Sequence, residues 1–65
     1  MSAAVTAELA IVSEHVRRYR ERVAEMAMPL RGGAHDDAVA VMFEAERTLR
    51  IAQRHLDRAV SLLES

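Results

Sequence analysis

The sequence contains no cysteine, tryptophan or lysine, and it has a single proline, a single tyrosine and a single phenylalanine. Without cysteine, neither a disulfide nor a thiolate zinc site can form. The apolar residues make up 51% of the chain and are mostly alanine, valine and leucine, a composition typical of helices rather than sheets. A chain of 65 residues buries only ~60% of its unfolded surface. We therefore expect association with another chain to complete the core.

An excess of charge of one sign is also absent, because nine arginines balance ten acidic residues and neither half of the chain is strongly basic or acidic. No uncharged run approaches the ~18 residues of a membrane span. The first residues lack a positive segment, and Glu8 interrupts their apolar run, so they do not resemble a signal peptide. We predict a cytoplasmic protein that does not enter membranes.

Each half of the chain carries apolar residues in alternating steps of four and three, the spacing of a helix that packs along one seam. We call these two sets the first and second ladder. The first ladder is Val5, Leu9, Val12, Val16, Tyr19, Val23, Met26 and Leu30. The second ladder is Ala38, Met42, Ala45, Leu49, Ala52, Leu56, Ala59 and Leu63. Its alternating alanines predict a close approach between helices.

The ladders predict an all-α fold, an antiparallel hairpin of two helices over about 3–28 and 37–64, forming one domain over 1–65. Both helices should measure roughly 40 Å.

Local signals mark where these helices begin and end. Ser2 is a candidate N-cap for the first helix. Pro29, which lacks an N–H, should end that helix or allow one kinked turn before the Gly32-Gly33 pair. The second helix should start at Asp36 or Asp37, whose carboxylates suit the positive end of a helix.

One hairpin has a single internal seam and cannot cover every apolar position, whereas four helices can. We therefore expect a homodimeric four-helix bundle, or a different helical protein that completes the seam. The predicted interface residues are Val5, Leu9, Val12, Val16, Tyr19, Val23, Met26, Met42, Phe43, Leu49, Leu56 and Leu63.

Residues that could support chemistry are not arranged for it. Three residues before His15 and before His55 the chain has Val and Ala, so the Glu-x-x-His pairs of di-iron bundles are missing. No serine or threonine has a histidine and an orienting acid at helical spacing. We predict no enzyme activity, no catalytic residue, no metal, no cofactor and no small-molecule substrate.

The function predicted is that of a structural or adaptor module that works through protein–protein contacts. The alternative is a small accessory or regulatory subunit, antitoxin-like or chaperone-like, that completes its seam on another protein. We identify no family resemblance.

Four arginines of the second helix share a broad face away from the ladder: Arg47, Arg50, Arg54 and Arg58. They are a candidate partner-binding surface, either for an acidic protein or, less in keeping with the balanced charge, for nucleic acid. Interleaved acids favour a third interpretation, simple solvation.

Polar residues also lie beside the ladders. Glu46, Thr48, Gln53 and His55 flank the second ladder in its middle, and Arg20 flanks the first at the level of Ala45. Such groups either fix the register of a bundle or are half-exposed positions of a dimer.

Overall fold

The computed structural model describes residues 3–65, and over this range the chain is all-helical, as predicted. Helix α1 spans Ala3–Ala27, a single 3₁₀ turn spans Met28–Leu30, and helix α2 spans Asp36–Glu64. The predicted N-cap, Ser2, lies outside the described residues.

The two helices run antiparallel in contact with each other. Ser13 of α1 bonds Asp57 of α2, and Arg20 bonds Glu46, so residues further along α1 meet residues earlier in α2. The Cα atoms extend over 52 Å by 14 Å by 10 Å, the shape of an elongated hairpin.

The connection follows from its proline and glycines. α1 ends at Ala27, one residue earlier than predicted, and the 3₁₀ turn around Pro29 takes the next three residues. The turn closes where the Arg31 N–H donates to the Met28 carbonyl at 3.2 Å. Gly32 then adopts a φ of 76°, a left-handed conformation that glycine reaches at little cost.

The start of α2 differs from the expected carboxylate cap. His35 occupies the N-cap position, and its side chain makes no capping hydrogen bond. The Asp36 carboxylate instead accepts the N–H of Gly32 at 3.0 Å and so ties the turn to the helix. Asp36 and Asp37 still lie in the first turn, where negative charge complements the helix dipole.

The interior of the hairpin is thin. Ala27 and Val39 are the buried apolar residues among those described, and no large side chain is fully buried. Alternate ladder members are half-buried between the helices: Leu9, Val16, Val23, Met42, Leu49 and Leu56. The hairpin seam therefore uses three of the eight residues of the first ladder and, with the half-buried Ala59, four of the eight residues of the second.

The remaining ladder members, which include Ala38, Ala45 and Ala52, are exposed, and this corrects two expectations for the isolated chain. The alanines Ala38, Ala45 and Ala52 do not mark the closest contact between α1 and α2. Arg20 lies within the seam rather than beside it. The physical reason is rotation by about 100° per residue, which turns positions one residue after the exposed ladder members toward the facing helix.

Candidate interaction surface

A polar cluster occupies the middle of the hairpin seam. The Arg20 guanidinium donates through Nη1 to Oε2 of Glu46 at 3.1 Å and through Nε to Oε1 of Gln53 at 3.3 Å. Nearby, the Ser13 hydroxyl donates to the Asp57 carboxylate. These bonds link the two helices and fix their register.

Glu46 is the centre of this cluster, and it is buried. The Arg50 guanidinium, one turn along α2, also donates to Oε2 of Glu46, at 2.9 Å. The hydrogen bond from Arg20 holds the pKa of the Glu46 carboxyl below its usual range, although partial desolvation opposes the shift.

The outer side of α1 carries a network of ion pairs along one helix. Arg17 bonds Glu14 and also Glu21, the latter at 3.0 Å, and Arg18 lies 3.7 Å from Glu14. The hydrogen bond from Arg17 lowers the pKa of the Glu14 carboxyl, and Glu14 in turn raises the pKa of Arg17. The pairs Arg17–Glu21 and Glu14–Arg18 both have the i,i+4 spacing of neighbours on one helix face.

Uncharged side chains line one side of the hairpin and remain open to solvent. We call this surface the open face. Its members from α1, which are 45% to 60% exposed, are Val5, Val12, Tyr19 and Met26. Its members from α2 are Ala38, Val41, Ala45 and Ala52, all exposed.

Helix geometry places both sets on the same side of the molecule. On each helix the open-face residues directly precede seam residues, as Tyr19 precedes Arg20 and Ala45 precedes Glu46. Each open-face residue is therefore rotated by about 100° around its helix from a seam residue. Because the two helices run in opposite directions, these rotations have opposite senses in space. In an antiparallel pair these opposite rotations meet on one face, so α1 contributes a stripe of large side chains and α2 an adjacent stripe of mostly alanine.

The structure brings together some predicted interface residues and separates others. The half-buried ladder members meet inside the hairpin, with Phe43 half-buried beside them. Val5, Val12, Tyr19 and Met26 lie on the open face, and Leu63 is exposed near the end of α2.

Comparison with known proteins adds no functional information. The chain matches no known protein family, no curated protein and no solved structure.

Residues 3–65 lack the features of two other kinds of site. In this range no group of three or more histidine, aspartate or glutamate side chains is arranged to hold a metal ion. Neither helix has a stretch that is both apolar and long enough to cross a lipid bilayer.

An open groove lies between the helices at the free end of the hairpin. Ala7 and Ala10 of α1 form one wall, and Val60, Leu63 and Glu64 of α2 form the other. It is shallow and holds no cluster of polar groups.

The predicted arginine face divides into two parts. Arg47 pairs with Glu44, and Arg50 pairs with the buried Glu46. For Arg54 and Arg58, the described part of the chain contains no carboxylate within ion-pair distance. The four side chains therefore do not present one uniform cationic surface.

The polar seam was only partly foreseen. Its members lie one residue after alternate ladder members, so a second, partly polar ladder was present in the sequence. On α1 this ladder is Thr6, Ser13, Arg20 and Ala27, and on α2 it is Val39, Glu46, Gln53 and Val60. Recognising it requires the charge pairing of Arg20 with Glu46, which spacing alone does not provide.

Proposed function

We propose that this chain is a non-catalytic structural or adaptor module that acts as a homo-oligomeric helical bundle. The observation that supports this most directly is the open face. It leaves Val5, Val12, Tyr19 and Met26 in water, each about half exposed or more. A contiguous apolar face on a small soluble protein is typical of a protein–protein contact.

The thin interior supports the same proposal. With Ala27 and Val39 as the buried apolar residues among those described, the hairpin alone removes little apolar surface from water. Folding free energy scales with buried apolar area, at ~25 cal/mol per Å². A second layer of helices would bury the open face and supply what the single hairpin lacks.

The size of the face matches a standard interface. Helices of 25 and 29 residues are about 38–44 Å long and each about 10 Å wide, so side by side they present roughly 800 Å². Stable complexes bury ~800 Å² on each partner. Two hairpins stacked on this face would form a four-helix bundle.

Neighbouring residues of α1 provide a matched test. Val12 lies on the open face and Ile11 points away from both the seam and the open face, yet both are β-branched and about half exposed. We expect Val12→Glu to reduce dimer mass in sedimentation equilibrium and helicity in circular dichroism. Ile11→Glu should leave both unchanged.

The outcomes separate the alternatives. A folded wild-type monomer would refute the bundle. A wild-type chain that is monomeric and poorly helical until another helical protein is added would favour the accessory-subunit alternative. Equal effects of the two substitutions would show that the open face is not the contact surface.

A further inference from the structure

The open face is not uniform, and its asymmetry bears on how two copies fit together. α1 contributes bulky side chains, with Tyr19 at the centre, whereas α2 contributes Ala45 and Ala52 at the centre. One half of the face therefore has projections and the other half has shallow positions between alanines. Such a surface is complementary to itself only if the two halves exchange.

Two twofold symmetric arrangements can stack the open faces. If the axis is parallel to the helices, α1 of each copy packs on α2 of the other, and both turns lie at the same end. If the axis is perpendicular to the helices and in the plane of the interface, α1 packs on α1 and α2 on α2, with the turns at opposite ends. In both arrangements the same surface patch is used by each copy, as closed dimers require.

The parallel axis predicts which residues of the two copies lie at the same height along the bundle. Rotation about it leaves the height of every residue along the bundle unchanged, so the register inside one hairpin also sets the register between copies. Inside the hairpin, Ser13 is level with Asp57 and Arg20 is level with Glu46. Each step forward along α1 is a step backward along α2.

Applying this register to the open face places each bulky residue between two alanines. Tyr19 is level with residues 47–51 of α2, which is the gap between Ala45 and Ala52. The same holds on either side: Val12 is level with the gap between Ala52 and Ala59, and Met26 with the gap between Ala38 and Ala45.

We propose that two copies bind through the open face about a twofold axis parallel to the helices, with Tyr19 seated between the partner's Ala45 and the partner's Ala52. This inference rests on the proposed function and specifies its interface. Tyr19 then enters the space between two alanines, the packing that lets helix axes approach within 8–10 Å.

The perpendicular axis is disfavoured by the same side chains. It would set the bulky stripe of one α1 against its equivalent, with Tyr19 facing valine, methionine or tyrosine. The two α2 helices would meet alanine to alanine. The α1 pair would be held apart while the α2 pair could close, so that one side of the interface would be left with voids, which cost dispersion contacts.

A distance measurement between the turns distinguishes the two axes. Ala34 is exposed in the turn that joins the helices, and Ala34→Cys carries a spin label in a chain that has no other cysteine. With the parallel axis we expect a label-to-label distance below ~30 Å by double electron–electron resonance. With the perpendicular axis the distance should be about 40 Å or more, since α2 is ~43 Å long.

Disulfide trapping is a second test of the same contact between copies. An equimolar mixture of Met26→Cys and Val41→Cys chains should form the mixed disulfide, because the two positions are level and on opposed helices of different copies. The control is a mixture of Ala10→Cys and Ser61→Cys chains. These two positions are also level with each other, but they lie on the side of the hairpin opposite the open face. Mass spectrometry identifies the mixed product.

The results that would overturn the parallel axis differ from the results that would overturn the bundle. A dimer with a long turn-to-turn distance, or with equal trapping of both cysteine pairs, would overturn the parallel axis and leave the bundle intact. A labelled chain with the mass of a monomer would overturn the bundle and this interface together.

Discussion

Arg20 and Glu46 form an ion pair across the hairpin, with 17% and 10% of their side chains exposed. No other charged pair between the two helices lies within 4 Å in the described residues. Because Arg50 donates to the same carboxylate oxygen, Glu46 faces two guanidinium groups. The pair joins the middle of α1 to the middle of α2 and determines which residues are level.

Replacing one partner of this ion pair should destabilise the fold more than replacing both partners. Glu46→Leu leaves the Arg20 guanidinium in the seam without its carboxylate and with Gln53 as its hydrogen-bond partner there, so we expect the urea midpoint of unfolding to fall clearly. The double substitution Arg20→Met with Glu46→Leu should recover much of that loss, because well-packed apolar residues often replace a buried ion pair without penalty. A double variant less stable than either single variant would contradict this.

Acid should weaken the fold through Glu46. Its pKa is held below the usual range by Arg20, so the folded state binds fewer protons than the unfolded chain. The stabilisation is therefore complete above the ordinary glutamate pKa, ~4.3, and is lost as the pH falls through the lower folded value.

The measurement is the urea midpoint at pH 7 and at pH 3. Glu46→Gln should reduce the difference between the two midpoints. Glu14→Gln is the comparison: the pKa of Glu14 is also lowered, but it belongs to an exposed pair with Arg17, which solvent and salt screen. An equal change from both substitutions would show that the seam ion pair is not the main acid-sensitive contact.

The helices and their turn were predictable because their signals are local. Pro29 and Gly32 end the first helix whatever tertiary contacts the chain makes. The side that each helix turns toward the other was not predictable from spacing. Each ladder points between two directions, and the choice depends on whether Tyr19 or its neighbour Arg20 enters the seam. Pairing with Glu46 decides in favour of Arg20, and that preference is a long-range contact.

Replacing an alanine of the open face by a larger residue should be unfavourable only if a second copy covers that face. Ala52 is exposed in the single hairpin, so Ala52→Leu has no overpacking cost there. If Tyr19 of a second copy packs beside it, the added methylene groups should weaken association by ~1–3 kcal/mol. Ala40→Leu is the control, since Ala40 is exposed on the outer side of the same helix. Dissociation constants from sedimentation that shift equally for both variants would contradict the assignment of the face.

The ion pairs of the arginine face determine which of its residues should be changed in a binding test. Arg50 is unsuitable, because it also holds Glu46 and its loss would disturb the seam. Arg54→Gln with Arg58→Gln removes the two arginines that lack an ion pair in the described residues, and stability should stay within ~1 kcal/mol.

Binding then separates the interpretations of that face. Non-specific nucleic-acid binders reach 10⁻⁴–10⁻⁶ M at physiological salt and bind more tightly below it. We expect the wild-type chain at ~10 μM and low salt to leave single- and double-stranded DNA and RNA unshifted in a gel. A shift that disappears in the double variant, with a salt slope reduced by about 0.9 for each lost phosphate contact, would instead assign the face to nucleic acid. An acidic protein partner would show its loss in the association rate and in the salt dependence of that rate, because exposed charges act mainly by steering the encounter.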